Sequence, residues 1–153
     1  MILPDYMIRE RRGMILPYVS RTVHETGLSF GESHGGYDVR IKQNLTLSQG
    51  EFRLASTLER FVIPPDVMAF VLDKSTLARQ GVSLFNTCLE PSWEGFLTLE
   101  IVCHAPGPVV LKAGQPIAQI VFHQMMAPPE RGYSGKYSNQ PDEPVAARTE
   151  PQS

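Results

Sequence analysis

From Phe96 to Cys103 apolar and polar positions alternate along the chain. Leu97, Leu99, Ile101 and Cys103 fall on one face, and Phe96, Thr98, Glu100 and Val102 on the other. A period of two predicts a strand, with one wholly apolar face and a carboxylate in the middle of the second. The stretches "GGYDVRIKQ", "EFRLAST" and "VMAFVLD" alternate in the same way, with "IPPD" as the turn between the last two. "MILPYV", "VSLFN", "VVLK" and "PIAQIVFHQ" complete the set of strands, and "HAPGP" and "AGQ" supply turns. The best short helix is "STLARQG", capped by Ser75 and ended by Gly81. A further helical turn or two follows Asp5, and the Gly-, Ser- and His-containing segment from Thr26 to Gly36 reads as a loop. Short strands at regular spacing predict an all-β barrel or sandwich. No internal repeat is present.

After Gln124 the character changes. From Ala127 on, the chain is polar and proline-rich, with little to bury. The division expected is a single β domain over 1–126 and a tail over 127–153. That tail is expected to be mobile alone and to order on a ligand or a neighbouring subunit.

Composition narrows the classes. At 153 residues, 42% hydrophobic and 20% charged, the chain suits one domain with a sizeable core. A net charge of -2 gives no global attraction to nucleic acid, so any anion site must be local. No apolar run approaches the roughly 18 residues of a membrane span, and no signal-peptide pattern opens the chain. Cys88 and Cys103 make no disulfide framework, and a reducing cytoplasm is the plain expectation.

Three features carry candidate chemistry. In "DKSTLARQG", Ser75 and Arg79 share a helix face and Lys74 adds charge at the same end, a local anion site able to hold a phosphate chain. The same residues also suit a capped surface helix with solvated cations. Glu100, if it borders an enclosed pocket, would have its pKa raised, which suits a general base; facing solvent or an Arg, it would be inert. Trp93, after a Pro-Ser turn, is either core or a flat wall against a sugar or base. The four histidines and two cysteines lack zinc spacing, and the zinc-deaminase pattern of His-x-Glu followed by Pro-Cys-x-x-Cys is absent. GxxxxGK and GxGxxG are absent as well.

Taken in order, "YDVRI", "FRLASTLERFVIPPDVMAFVLDKSTLARQGV", "NTCLEPSWEGFLTLEI", "LKAGQPIAQIVF" and "YSGKYSNQ" resemble the five motifs of the dCTP deaminase family, which shares its fold with the trimeric dUTPases. The resemblance implies an all-β, distorted jelly-roll-like β-barrel of the dUTPase type with one short helix. It also implies a homotrimer with sites at subunit interfaces, and a zinc-independent deamination of dCTP. Carried over by motif, Ser75 and Arg79 hold the triphosphate, with Lys74 and Thr76 beside them. Trp93 packs on the deoxyribose, Thr87 lines the base pocket, and Glu100 activates water against C4 of cytosine, with Glu90 also in the catalytic set. Tyr133, Lys136, Tyr137 and Gln140 match the tail that closes over the nucleotide. Mg²⁺ rides on the phosphates with no direct protein ligand, and Asp38 reaches it through water.

The chain departs from the family's usual pattern in four places. The bridge "KQNLTLSQGE" is short, Ser92 stands where glycine is common, Lys74 stands where many members have Arg, and Cys88 stands where a basic residue is common. Two rival functions stay open on this reading. One is dUTP hydrolysis to dUMP and pyrophosphate, alone or after deamination, using Glu90 and Asp38. The other is a nucleotide-binding regulatory protein without turnover.

Overall fold

A computed structural model describes residues 1–150; the last three residues of the expected tail lie outside it. The elements, in order, are α1 (Asp5–Glu10), β1 (Ile15–Leu16), β2 (Thr22–Val23), β3 (Ser29–Ser33), β4 (Gly36–Arg40), β5 (Leu45–Leu47), β6 (Phe52–Val62), β7 (Val67–Asp73), α2 (Ser75–Ala78), β8 (Val82–Leu84), β9 (Cys88–Leu89), β10 (Glu94–Cys103), β11 (Val109–Leu111) and β12 (Pro116–Gln124).

The strands form a four-stranded sheet ordered β1-β6-β10-β8, a six-stranded sheet ordered β2-β3-β4-β12-β7-β9, and the pair β11-β5. Every named ladder is antiparallel. The two larger sheets touch through one bridge, Ile41 to Thr57, where the chain leaving β4 meets β6. Between them lies the core, with Tyr37, Val39, Phe61, Ala69, Leu99, Ile101, Ile120 and Phe122 fully enclosed. The alternation of "FLTLEIVC" is realised: Leu97, Leu99, Ile101 and Cys103 face this core.

Part of the predicted detail needs correction. The segment 26–36 is not a loop throughout, because Ser29–Ser33 forms β3 and pairs with β4 through Gly31–Asp38, Glu32–Tyr37 and Ser33–Gly36. Its glycines serve close approach: a Cβ at Gly36 would lie 2.5 Å from the Ile120 carbonyl oxygen, and one at Gly31 2.6 Å from that of Val19. "MILPYV" contributes only the two residues of β1. The helical turn expected after Asp5 is present as α1, so the chain has a second short helix beside the one that the family resemblance implied. Ser75 does not cap α2; Lys74 occupies that position with no side-chain cap bond, and Gly81, at a φ of 83°, ends the turn.

One feature inside the core had no counterpart in the alternation pattern. Glu59 on β6 is 0% exposed. Its Oε2 accepts from the Arg40 backbone N–H at 2.9 Å and its Oε1 from Arg40 Nε at 2.7 Å. Burial pushes the Glu59 carboxyl up, against the opposing pull of Arg40. The Arg40 guanidinium in turn lies 4.8 Å over the Phe30 ring. This pair joins β4 to β6 where the sheets come together.

Candidate active site

β10 is the element that builds the site. A bulge between Phe96 and Thr98 interrupts its ladder with β6, and the Leu97 N–H is taken by the Thr57 hydroxyl at 3.0 Å. From the bulge onward, Leu97, Thr98 and Glu100 all border a cavity of about 540 Å³. β6 supplies Phe52 and Leu54, the stretch before and through β9 supplies Asn86, Thr87 and Cys88, and Glu90 and Trp93 follow. The C-terminal segment closes the rest with Tyr133, Tyr137, Gln140, Val145 and Ala147.

That segment lies along β10 by specific bonds. The indole N–H of buried Trp93 donates to the Tyr137 carbonyl at 2.7 Å. The Thr98 hydroxyl donates to Gln140 Oε1 at 2.7 Å and accepts from the Val145 N–H at 3.0 Å. Gln140 also makes a parallel bridge to Gly95, whose φ of 141° only glycine adopts readily. A Cβ there would sit 2.6 Å from the Gln140 nitrogen. Farther along, Lys42 pairs with Asp142, and the Tyr137 hydroxyl accepts from the Arg148 N–H at 2.9 Å.

Glu100 is half-buried on the cavity wall. Among the described residues its carboxylate has no ion-pair or hydrogen-bond partner, and desolvation alone pushes its pKa above the ordinary carboxylate range. Glu90 faces the same space and accepts a long contact from the Cys88 thiol at 3.5 Å. Burial first, and then the Glu90 charge, push the Cys88 thiol up, so it stays protonated at neutral pH. The cavity therefore holds two carboxylates, one of them a partnerless base, beside an indole and two phenols.

Of the residues picked out in the sequence, Glu90, Glu100, Thr87, Trp93, Tyr133, Tyr137 and Gln140 come together here. Lys74, Ser75, Thr76, Arg79 and Lys136 do not line this cavity. Lys74 Nζ reaches Asp38 Oδ2 at 2.5 Å, while Ser75, Thr76 and Arg79 are exposed along α2. Asp38 is buried with Oδ1 unpartnered; desolvation pushes its carboxyl up and Lys74 opposes that. Lys136 stands over the Tyr137 ring at 5.5 Å, with Glu150 at 3.9 Å. The described residues hold no cluster of three or more His, Cys, Asp or Glu side chains placed to bind a metal ion.

A family model described as dCTP deaminase-like matches residues 33–125. A dCTP deaminase of Acidiphilium cryptum is 34% identical over an alignment of 174 residues, covering 91% of this chain and 95% of its own length. The chain belongs to the dCTP deaminase family. The alignment is longer than the chain, so that relative carries insertions. Among solved structures, the 2'-deoxycytidine 5'-triphosphate deaminase of Agrobacterium tumefaciens superposes with a TM-score of 0.65 at 18% identity, covering 80% of this chain and 47% of that one. A dUTPase from phage phi11 of S. aureus, described as coordinating a structural Mg(II) ion, superposes at 0.56 and 14% identity, covering 78% and 92%. These two likenesses establish the dUTPase-like fold.

In this family member, sequence reasoning missed Asn86, Thr98, Val145 and Ala147. Thr98 had a legible signal, since it shares the face of Glu100 two residues away. Asn86 and the residues past Gln140 had none, because their place depends on where the chain turns back.

Proposed function

We propose that this protein deaminates dCTP to dUTP and ammonia, with Glu100 as the general base. The observation that carries the reading is a partnerless, half-buried carboxylate on the wall of a cavity that also holds Trp93 and the tail motif. In the proposed reaction, Glu100 takes a proton from water and the hydroxide adds to C4 of cytosine. Glu100 passes that proton to N3, then takes the proton of the new C4 hydroxyl and delivers it to the 4-amino group, and ammonia leaves as the C4 carbonyl forms. Proton relay of this kind contributes roughly 10²–10⁴-fold, and orientation and water exclusion supply the remainder. Trp93 gives the deoxyribose a flat apolar wall, Thr87 borders the base, and Tyr133, Tyr137 and Gln140 close the cavity from the tail side.

The phosphate contacts lie elsewhere on the chain. Ser75 and Arg79 are exposed and away from the cavity, and Lys74 and Thr76 flank Ser75. We infer that the enzyme is a homotrimer in which α2 of one copy meets the triphosphate held in the cavity of the next. Magnesium enters with the nucleotide, bound mainly through phosphate oxygens and water. Tail residues 127–150, Lys136 included, act as the closing segment of the site.

The deciding experiment incubates the purified protein with dCTP and Mg²⁺ and follows ammonia and pyrophosphate together. Ammonia without pyrophosphate is the expected result. Pyrophosphate in addition would establish a bifunctional enzyme, and no ammonia from dCTP would overturn the deaminase reading.

A further inference from the structure

β10 has a continuous neighbour on one edge only. Opposite β6 its second edge is covered in three separate pieces. β8 pairs with Ile101–Cys103, and the Phe85 N–H donates to the Glu100 carbonyl at 2.9 Å. At the far end the tail takes over, with Asn139 N–H donating to Glu94 O at 2.9 Å and Phe96 N–H to Gln140 O at 3.0 Å. Between them the chain after β8 peels away from the sheet, and Asn86, Thr87 and Cys88 become cavity wall.

Peeling away opens room beside Glu100, but it strips two backbone groups of their strand partners. Both go to one side chain. Asn86 Oδ1 accepts from the Glu100 N–H at 2.9 Å, and Asn86 Nδ2 donates to the Thr98 carbonyl at 2.7 Å. A carboxamide offers a donor and an acceptor side by side, as a peptide group does, and these two partners admit only one orientation of it. Asn86 is thus one residue of surrogate strand, set where a real strand would close the cavity. Without it, two partly buried backbone groups would lack partners, a state that folded chains avoid.

We propose that Asn86 is the positioning residue for Glu100, fixing the backbone from which the carboxylate projects into the cavity. It acts through Glu100 and Thr98, so its loss moves the base instead of removing a substrate contact. The inference rests on the deaminase reading above. A displacement of the order of 1 Å at a reacting group costs on the order of 10²-fold in rate.

The test compares wild type, Asn86→Ala and Asn86→Asp. Asn86→Ala should lower kcat for ammonia release by roughly 10- to 100-fold. In the Glu100→Gln background, where turnover is blocked, Asn86→Ala should leave the dCTP dissociation constant within about twofold. Asn86→Asp keeps the shape and the acceptor, loses the donor to Thr98, and sets a second carboxylate beside Glu100. Its kcat should fall, and its acid limb should move to higher pH because a like charge disfavours ionisation of Glu100. The other ionisable groups lining the cavity are Glu90, Cys88, Tyr133 and Tyr137, unchanged in all three proteins. An unchanged kcat in Asn86→Ala would overturn the proposal, as would a parallel loss of rate, affinity and thermal stability, the mark of a purely structural residue. If Asn86→Ala does not fold, an unmoved acid limb in Asn86→Asp overturns it instead. Failure of wild type itself to release ammonia would sink the deaminase reading, a separate outcome visible in the control.

Discussion

At the scale of single residues, Glu100 is the one whose environment makes the sharpest prediction. Its pKa is raised by desolvation with no cation to oppose it. A carboxyl whose folded pKa lies above its unfolded value binds more protons when folded, so folding stability falls as pH rises from the unfolded pKa through the folded one. Glu100→Gln removes that penalty. It should therefore unfold at a higher temperature than wild type at neutral pH, the gap closing as pH drops below the ordinary glutamate value of about 4.3. Thermal melts from pH 4 to pH 8 check this, and equal melting temperatures at neutral pH would refute it. In the proposed reaction the same ionisation acts on catalysis with the opposite sign. A general base works when ionised, so the acid limb of kcat should lie above the ordinary carboxylate range. The residue that limits activity is then one that limits stability.

At the scale of elements, the junction of β4 and β6 depends on a buried ion pair. Arg40 uses both its backbone N–H and its side chain on Glu59, which has no access to water. Glu59→Ala would leave the Arg40 guanidinium without its partner, and breaking such a buried pair costs about 3–5 kcal/mol. Urea denaturation should show a loss of that size with an unchanged m-value; a loss under 1 kcal/mol would mean that water at the partly exposed Arg40 side chain replaces Glu59 as its partner. The consequence for the site runs through Thr57, two residues away. Its hydroxyl donates to the Glu59 carbonyl at 2.7 Å and accepts from Leu97, so it holds the β10 bulge from the β6 side. β10 is thus pinned by Thr57 on one edge and by Asn86 and the tail on the other. Its regular alternation conceals this, because each of these partners is distant in sequence.

At the scale of the whole molecule, one copy of the chain brings Glu100 and Trp93 to a cavity and leaves α2 outside it. The interface reading predicts complementation. Glu100→Gln and Arg79→Ala should each be inactive alone. Mixed, dissociated and reassociated, they should regain part of the wild-type rate, because some interfaces then combine an intact Arg79 with an intact Glu100. Absence of any recovery, with mixed assemblies demonstrated by mass, would place both residues in one subunit's site.

Eight of the twelve strands, their order along the chain and the apolar face of β10 follow from the sequence alone, because a period of two is a local property that burial on one face enforces. So do the motif residues, whose types and spacing mark the family. The tertiary structure alone decided which of them meet. It turned 29–33 from loop into β3, because glycines at 31 and 36 admit backbone contacts no composition rule reveals. It moved Lys74 onto Asp38, where two partly desolvated charges pair more strongly than either interacts with water-screened surroundings. Among the described residues it also gave the Glu100 carboxylate no partner, the Asn86 carboxamide two, and the polar tail a bed of hydrogen bonds on Trp93, Thr98 and Gly95. Hydrogen bonds to backbone groups leave no trace in hydropathy. Their donors and acceptors are the same in every residue, and only the path of the chain determines which remain to be satisfied.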